Sequence, residues 1–230
     1  MKSLPAACLR FALASGLLLA APLRALDFTP QETWRLLEGV RIPVLMFSDP
    51  AGKIRYQPPG GWNYSGEGAT FALYPPKATG AFMKILLLGH PPGMLEITAM
   101  PSADLVKWSQ TYLAADANDV KLLAENPSPF MLSRKPSREF VFDYKSSGRR
   151  YQTSVAVLDW SDHEHLAVVI TALATDFKTV HDNGTSSMFS WSLRKSETAP
   201  ANPTPAPSPA TEAAPAPVAP GPTPIRAVNP

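Results

Sequence analysis

Residues 139–174 read EFVFDYKSSGRRYQTSVAVLDWSDHEHLAVVITALA, and this stretch decides the fold. Glu139 to Tyr144 alternates, with Phe140, Phe142 and Tyr144 on one side. Ser146-Ser147-Gly148 punctuates it, and Arg150 to Asp159 answers as a second strand. Ser161 to Glu164 turns the chain again. His165 to Ala174 is apolar on both faces, the pattern of a strand inside a sheet. Connections this short join antiparallel neighbours, because a parallel pair needs a crossover of a dozen residues or more.

Working outward, Asp176 to about Leu193 places Phe177, Val180, Met188 and Trp191 at helical spacing, with Asn183-Gly184 as a weak point. Upstream, Ser102 caps an expected helix from Ala103 to about Ala117, with Leu105, Trp108 and Tyr112 on one stripe. Val120 to Leu123 and Phe130 to Leu132 read as short strands, and Leu95 to Met100 as another. Phe71 to Tyr74 and Ala81 to Leu88 are strands. Ile42 to Phe47 and Lys53 to Tyr56 flank an Asp49-Pro50-Ala51-Gly52 turn. Thr29-Pro30-Gln31-Glu32 has the form of a capping box with proline at the first helical position, so a short helix is expected up to Gly39. Strands and helices in this order give an α+β domain, a central antiparallel sheet with helices packed on it.

Two stretches bear a likeness to a known family. Tyr56-Gln57-Pro58-Pro59-Gly60-Gly61-Trp62 followed by Phe71-Ala72-Leu73-Tyr74-Pro75 is similar to the entry of the PsbP-like superfamily. Ala167 to Ala174, Asp176-Phe177 and Phe189-Ser190-Trp191 resemble its last strand and helix. The likeness spans roughly Lys53 to Leu193. It implies an α/β/α sandwich and no enzymatic activity. It implies no particular partner and carries no site residue across.

The ends of the chain speak of location. Lys2 and Arg10 precede an apolar run from Phe11 to Leu23, and Leu23-Arg24-Ala25 offers a cleavage site, so residues 1–25 read as a secretory signal. Residues 26–196 are the expected domain. Residues 197–230 form a proline- and alanine-rich tail, with eleven prolines among residues 200–230, and this composition is expected to be disordered. The expected location is periplasmic or extracellular. The sole cysteine, Cys8, lies within the signal, so the processed chain has no disulfide, thiolate metal site or cysteine nucleophile. Loss of Lys2, Arg10 and Arg24 turns the net charge of +2 into −1, and without the tail the domain is neutral. Neutrality speaks against nucleic acid as a partner. No later apolar run is long enough to span a membrane, and a monomer is expected.

Two groups of side chains stand out as candidate sites. Arg55, Tyr56, Trp62 and Tyr64 surround a Pro/Gly turn, the composition of a binding surface; the competing reading makes Trp62 a plug of the core. Asp162, His163, Glu164 and His165 carry the donors of a Zn²⁺ or Mn²⁺ site. On extended or turning backbone, however, neighbours point to different sides, which favours a solvated hairpin tip. Gly60-Gly61 and Gly66/Gly68 read as turn glycines, since no helix follows to hold a phosphate. Ser187 near His181 lacks the strained nucleophile turn of a hydrolase. No cofactor is expected. The sequence thus describes an exported, non-catalytic binding or assembly-support protein of the bacterial envelope, its partner an unknown protein or envelope component. The alternative is a metal-binding protein or metal-dependent enzyme built on the 162–165 turn.

Overall fold

The computed structural model describes residues 26–90, 96–127, 129–130, 132 and 135–195. The expected signal and tail lie outside these. In chain order the elements are β1 (Asp27–Leu37), β2 (Val40–Asp49), β3 (Gly52–Tyr56), β4 (Asn63–Glu67), β5 (Thr70–Tyr74), β6 (Phe82–Gly89), α1 (Ser102–Ser109), β7 (Asn118–Pro127), β8 (Arg138–Ser146), β9 (Arg149–Asp159), β10 (Glu164–Leu173), α2 (Phe177–Met188) and β11 (Ser192–Lys195). One sheet has the order β4-β5-β6-β10-β9-β8-β7, and a second has the order β1-β2-β3-β11. Every pairing is antiparallel.

The stretch quoted first forms the β8–β9–β10 meander. Its Ser147-Gly148 turn has both residues at positive φ, the conformation whose twist matches that of the flanking strands. β10 lies between β9 and β6, which accounts for its two apolar faces. On one face Phe140, Phe142, Val155, Val157 and Val169 pack with Leu105 of α1. On the other, Ala156, Leu158, Leu166, Val168 and Ile170 pack with Val180 and Met188 of α2 and with Phe47, Ile54 and Tyr56 of the second sheet.

The central antiparallel sheet is as expected, but the flanking layers are not those of an α/β/α sandwich. The two helices have eight and twelve residues, and the second sheet shares a core with α2. Where a short helix is expected up to Gly39, residues 29–37 are strand and Glu38-Gly39 is a turn. Glu38 (φ 50°) and Gly39 (φ 82°) supply the two left-handed residues of a tight hairpin turn, and β1 pairs with β2 from Leu37↔Val40 back to Gln31↔Met46. Pro30, which has no N–H to donate, falls where the register shifts between Asp27 and Gln31. Thr29 bonds Asp27 Oδ1 instead of capping a helix.

Other boundaries move for local reasons. Glu96 to Met100 is irregular instead of a strand, because Asp159 accepts the Ile97 and Thr98 N–H groups that a ladder would use. Leu95 lies outside the described residues. α1 ends at Ser109, a 3₁₀ turn covers Gln110–Tyr112, and extended backbone at Leu113 (ψ 166°) stops the helix. Pro101 occupies the cap, and the Ser102 hydroxyl instead donates to Glu125. Leu132 forms only an isolated bridge with Lys135. α2 stops at Met188; Trp191 enters the core and β11 pairs with β3. Gly184 does not split α2. A Cβ there would lie 3.0 Å from Ile170 Cδ1 and 3.1 Å from Met83 Sδ, so glycine lets the helix approach β10 closely.

Candidate functional site

The four-stranded sheet exposes one face and, at one end, the tip of its first hairpin. Side chains directly opposite across an antiparallel pair share a face. The pairs Leu45↔Tyr56 and Phe47↔Ile54 are buried in the core. The intervening pairs Met46↔Arg55 and Ser48↔Lys53 therefore point outward, as do Ser192 and Arg194 of β11 and Thr33 and Arg35 of β1. A shallow groove of about 500 Å³ on this side is lined by Thr33, Arg35, Val44, Met46 and Arg55, among others. At the tip Trp34 is 59% exposed, Leu36 69%, Leu37 45% and Val40 63%. A cluster of large apolar side chains left in water marks an interaction surface more readily than single exposed residues do.

Of the first group read from the sequence, only Arg55 lies on this face. Tyr56 is buried, its hydroxyl 2.7 Å from Ser187 Oγ, and burial raises its ionisation well above the ordinary tyrosine range. Trp62 is 8% exposed and belongs to the main core, so of the two readings the plug is the one its burial fits. Tyr64 donates to Glu32 Oε1 at 2.6 Å, joining β4 to β1. The four residues are thus dispersed over a sheet exterior, the core and a strand edge, because strand alternation sends Tyr56 and Arg55 to opposite faces.

The 162–165 turn also diverges. Asp162 and His163 are exposed, and Glu164 Oε2 accepts from Ser161 Oγ at 3.1 Å. His165 turns inward against Trp108 and His90, with ring centroids 5.4 and 5.5 Å away. Among the described residues no three His, Cys, Asp or Glu side chains gather as a metal would require.

Two buried polar clusters escaped the sequence reading, since their members come from distant segments. In the first, Asp159 accepts from Ile97 and Thr98, and His90 Nε2 sits 3.1 Å from Asp159 Oδ1 without the alignment of a hydrogen bond. Burial, reinforced by the neighbouring His90, lowers the His165 pKa to about 4, so this imidazole is neutral near pH 7. In the second, Glu139 Oε1 lies 2.7 Å from His181 Nε2 of α2 and also accepts from Ser154, while Oε2 accepts from Asn126 at 2.8 Å. Burial alone would raise the carboxyl, but these donors hold it below its ordinary range. Burial would likewise lower His181, yet Glu139 raises it. The group works as a clamp between α2 and the sheet. Ser187, which bonds Tyr56 and Gly184 O, takes no part in it.

No protein-family model matches the sequence, and no curated protein is significantly similar to it. Solved structures do resemble the fold. PA94, a Pseudomonas aeruginosa protein of unknown function, aligns with TM-score 0.38 at 13% identity over 71% of this chain and 98% of its own. LpqN, involved in cell envelope biogenesis of Mycobacterium tuberculosis, aligns with TM-score 0.44 at 12% identity over 71% and 91%. The cyanobacterial PsbP of Synechocystis aligns with TM-score 0.45 at 11% identity over 66% and 92%. One of these three, the cyanobacterial PsbP, comes from the superfamily whose likeness the sequence bears.

Proposed function

We propose that this chain is an exported, non-catalytic binding or assembly-support protein of the bacterial envelope, and that the β1–β2 hairpin is its contact surface. The carrying observation is the exposed apolar tip, where Trp34, Leu36, Leu37 and Val40 lie beyond the core. Side chains of this kind serve as anchors when a partner desolvates them. The export reading rests on the charged, apolar, small-residue order of residues 1–25.

Capture from native envelope extracts tests the surface. Trp34→Ser combined with Leu36→Ser should abolish capture while leaving the unfolding midpoint unchanged; undiminished capture removes the hairpin from the argument. Intact mass of the protein from its host tests export. A processed N-terminus near Leu26 is expected, and a retained Met1 overturns it.

A further inference from the structure

We propose that the outer face of the four-stranded sheet, together with the hairpin tip, docks onto an anionic lipid surface. The proposal rests on the hairpin being the contact surface and names what it contacts. The pairing register places Arg35, Lys53, Arg55 and Arg194 on this face, one or two on each of three strands. Among the described residues none of the four pairs with a carboxylate, and Lys53 donates only to Gln31 Oε1 at 3.1 Å. Glu32 and Asp49 face the other way, bonded to Tyr64 and Trp160. Asp27, its carboxylate held by Thr29, and Glu38 in the turn mark the two ends. A domain with no net charge thus shows a locally cationic face, which a neutral partner would leave unused.

Lipid, in preference to an acidic protein, follows from where the apolar side chains stand. Trp34 and Leu36 lie on one face of the ribbon, and Leu37 with Val40 on the other. A partner that covered one face would leave the apolar side chains of the other in water, whereas the headgroup boundary of a bilayer takes in both. Three residues of strand, from Leu37 back to Trp34, span about 10 Å, matching the depth to which interfacial elements sink. Arg35 and Arg41 sit at that level, where arginine and lysine lay their stems on apolar surface and keep their charge among phosphates. Glu38 in the turn keeps the contact interfacial, because a carboxylate does not enter the acyl region without cost.

Flotation of the protein purified from its exporting host, with vesicles of phosphatidylcholine alone or mixed with phosphatidylglycerol, tests this. Binding to the mixed vesicles only, weakened by salt, is expected. Arg35→Gln and Arg55→Gln should each weaken it about fivefold. Trp34→Ser with Leu36→Ser should weaken it at least about tenfold. Because the variants share residues 1–25 or their absence with the parent, the differences belong to the hairpin and sheet. All substituted side chains are at least partly exposed, and an unchanged circular dichroism spectrum confirms folding. Failure to bind mixed vesicles at low salt overturns the proposal, as does binding insensitive to these substitutions. If the vesicles go unbound while the tip variants still lose capture from envelope extracts, the lipid assignment falls and the hairpin reading stands. A concentration-dependent rise in mass that Trp34→Ser removes would assign the tip to a second copy of the chain, and equally overturn docking to lipid.

Discussion

Trp62 and Trp34 carry the same indole into opposite surroundings, and the difference fixes what each can do. Trp62 follows the Pro59–Trp62 turn, closed by a 3.2 Å backbone bond, and packs into the main core. Trp62→Ala should therefore cost about 3–5 kcal/mol in urea unfolding, the range of large-to-small core changes. A loss below about 1 kcal/mol would show that the core does not depend on this plug. The Glu139–His181 pair makes a pH-dependent prediction. Glu139 has a lowered carboxyl, so its contribution is present above the unfolded value of about 4.3 and disappears as pH falls through the folded value. His181 is raised, so its contribution is complete below about 6.5 and disappears as pH rises through the folded value. The stability difference between parent and Glu139→Gln should accordingly be greatest between about pH 4.3 and 6.5, and narrow on both sides. A difference that is flat from pH 4 to 8 would dissociate the pair from stability.

Elements, more than residues, separate what the sequence makes legible from what it hides. The β8–β9–β10 meander announces itself because alternation, turn chemistry and a doubly apolar strand agree within thirty-six consecutive residues. The β1–β2 hairpin does not, because Thr29-Pro30-Gln31-Glu32 satisfies a helix-start pattern while the Glu38-Gly39 turn satisfies a hairpin, and pairing with β2 outweighs the cap. The candidate surface is hidden with it: a helix would set Trp34 and Leu37 three apart on one face that could pack on the sheet, whereas strand leaves both in water. Glycine was similarly ambiguous. Gly66 reads as a turn residue but lies inside β4, where the Phe28 backbone oxygen passes over it and an added Cβ would stand 2.7 Å from Phe71 Cδ2. Since backbone cannot yield as a flexible side-chain end can, Gly66→Ala should destabilise by about 1–3 kcal/mol. Gly184→Ala meets side-chain atoms of Ile170 and Met83 that need give by only a few tenths of an ångström, and gains helix propensity, so it should change stability by less than about 1 kcal/mol. Equal effects of the two substitutions would mean that β4 and β1 do not approach as closely as described.

The two sheets are one folding unit because a single aromatic cluster belongs to both. Phe47 and Tyr56 of the small sheet meet Phe71 of the large one at ring-centroid distances of 4.9 and 5.8 Å. Trp191 lies against Phe28, Phe47 and Tyr56, each within 6.2 Å. It stands between α2 and β11, so the last described segment both fills the shared core and closes the small sheet along β3. Ser190 secures that path by accepting the Gln57 N–H at 2.8 Å while its hydroxyl donates to Ser187 O at 2.7 Å. This arrangement predicts where truncation becomes damaging. Measured against a chain ending at Ser196, one ending at Ser190 loses the Trp191 side chain and the β11–β3 pairing together. The indole alone accounts for about 3–5 kcal/mol. That is a large part of the 5–15 kcal/mol that typically holds a domain folded. The shorter chain should show a lower urea midpoint, or a reduced slope if the small sheet frays while the large one persists. Because β1 and β2 pair within that small sheet, its loss should also diminish capture by the hairpin surface. A chain ending at Ser190 with parental midpoint, slope and capture would mean that the four-stranded sheet holds without its last strand, and that the shared aromatic cluster does not depend on Trp191.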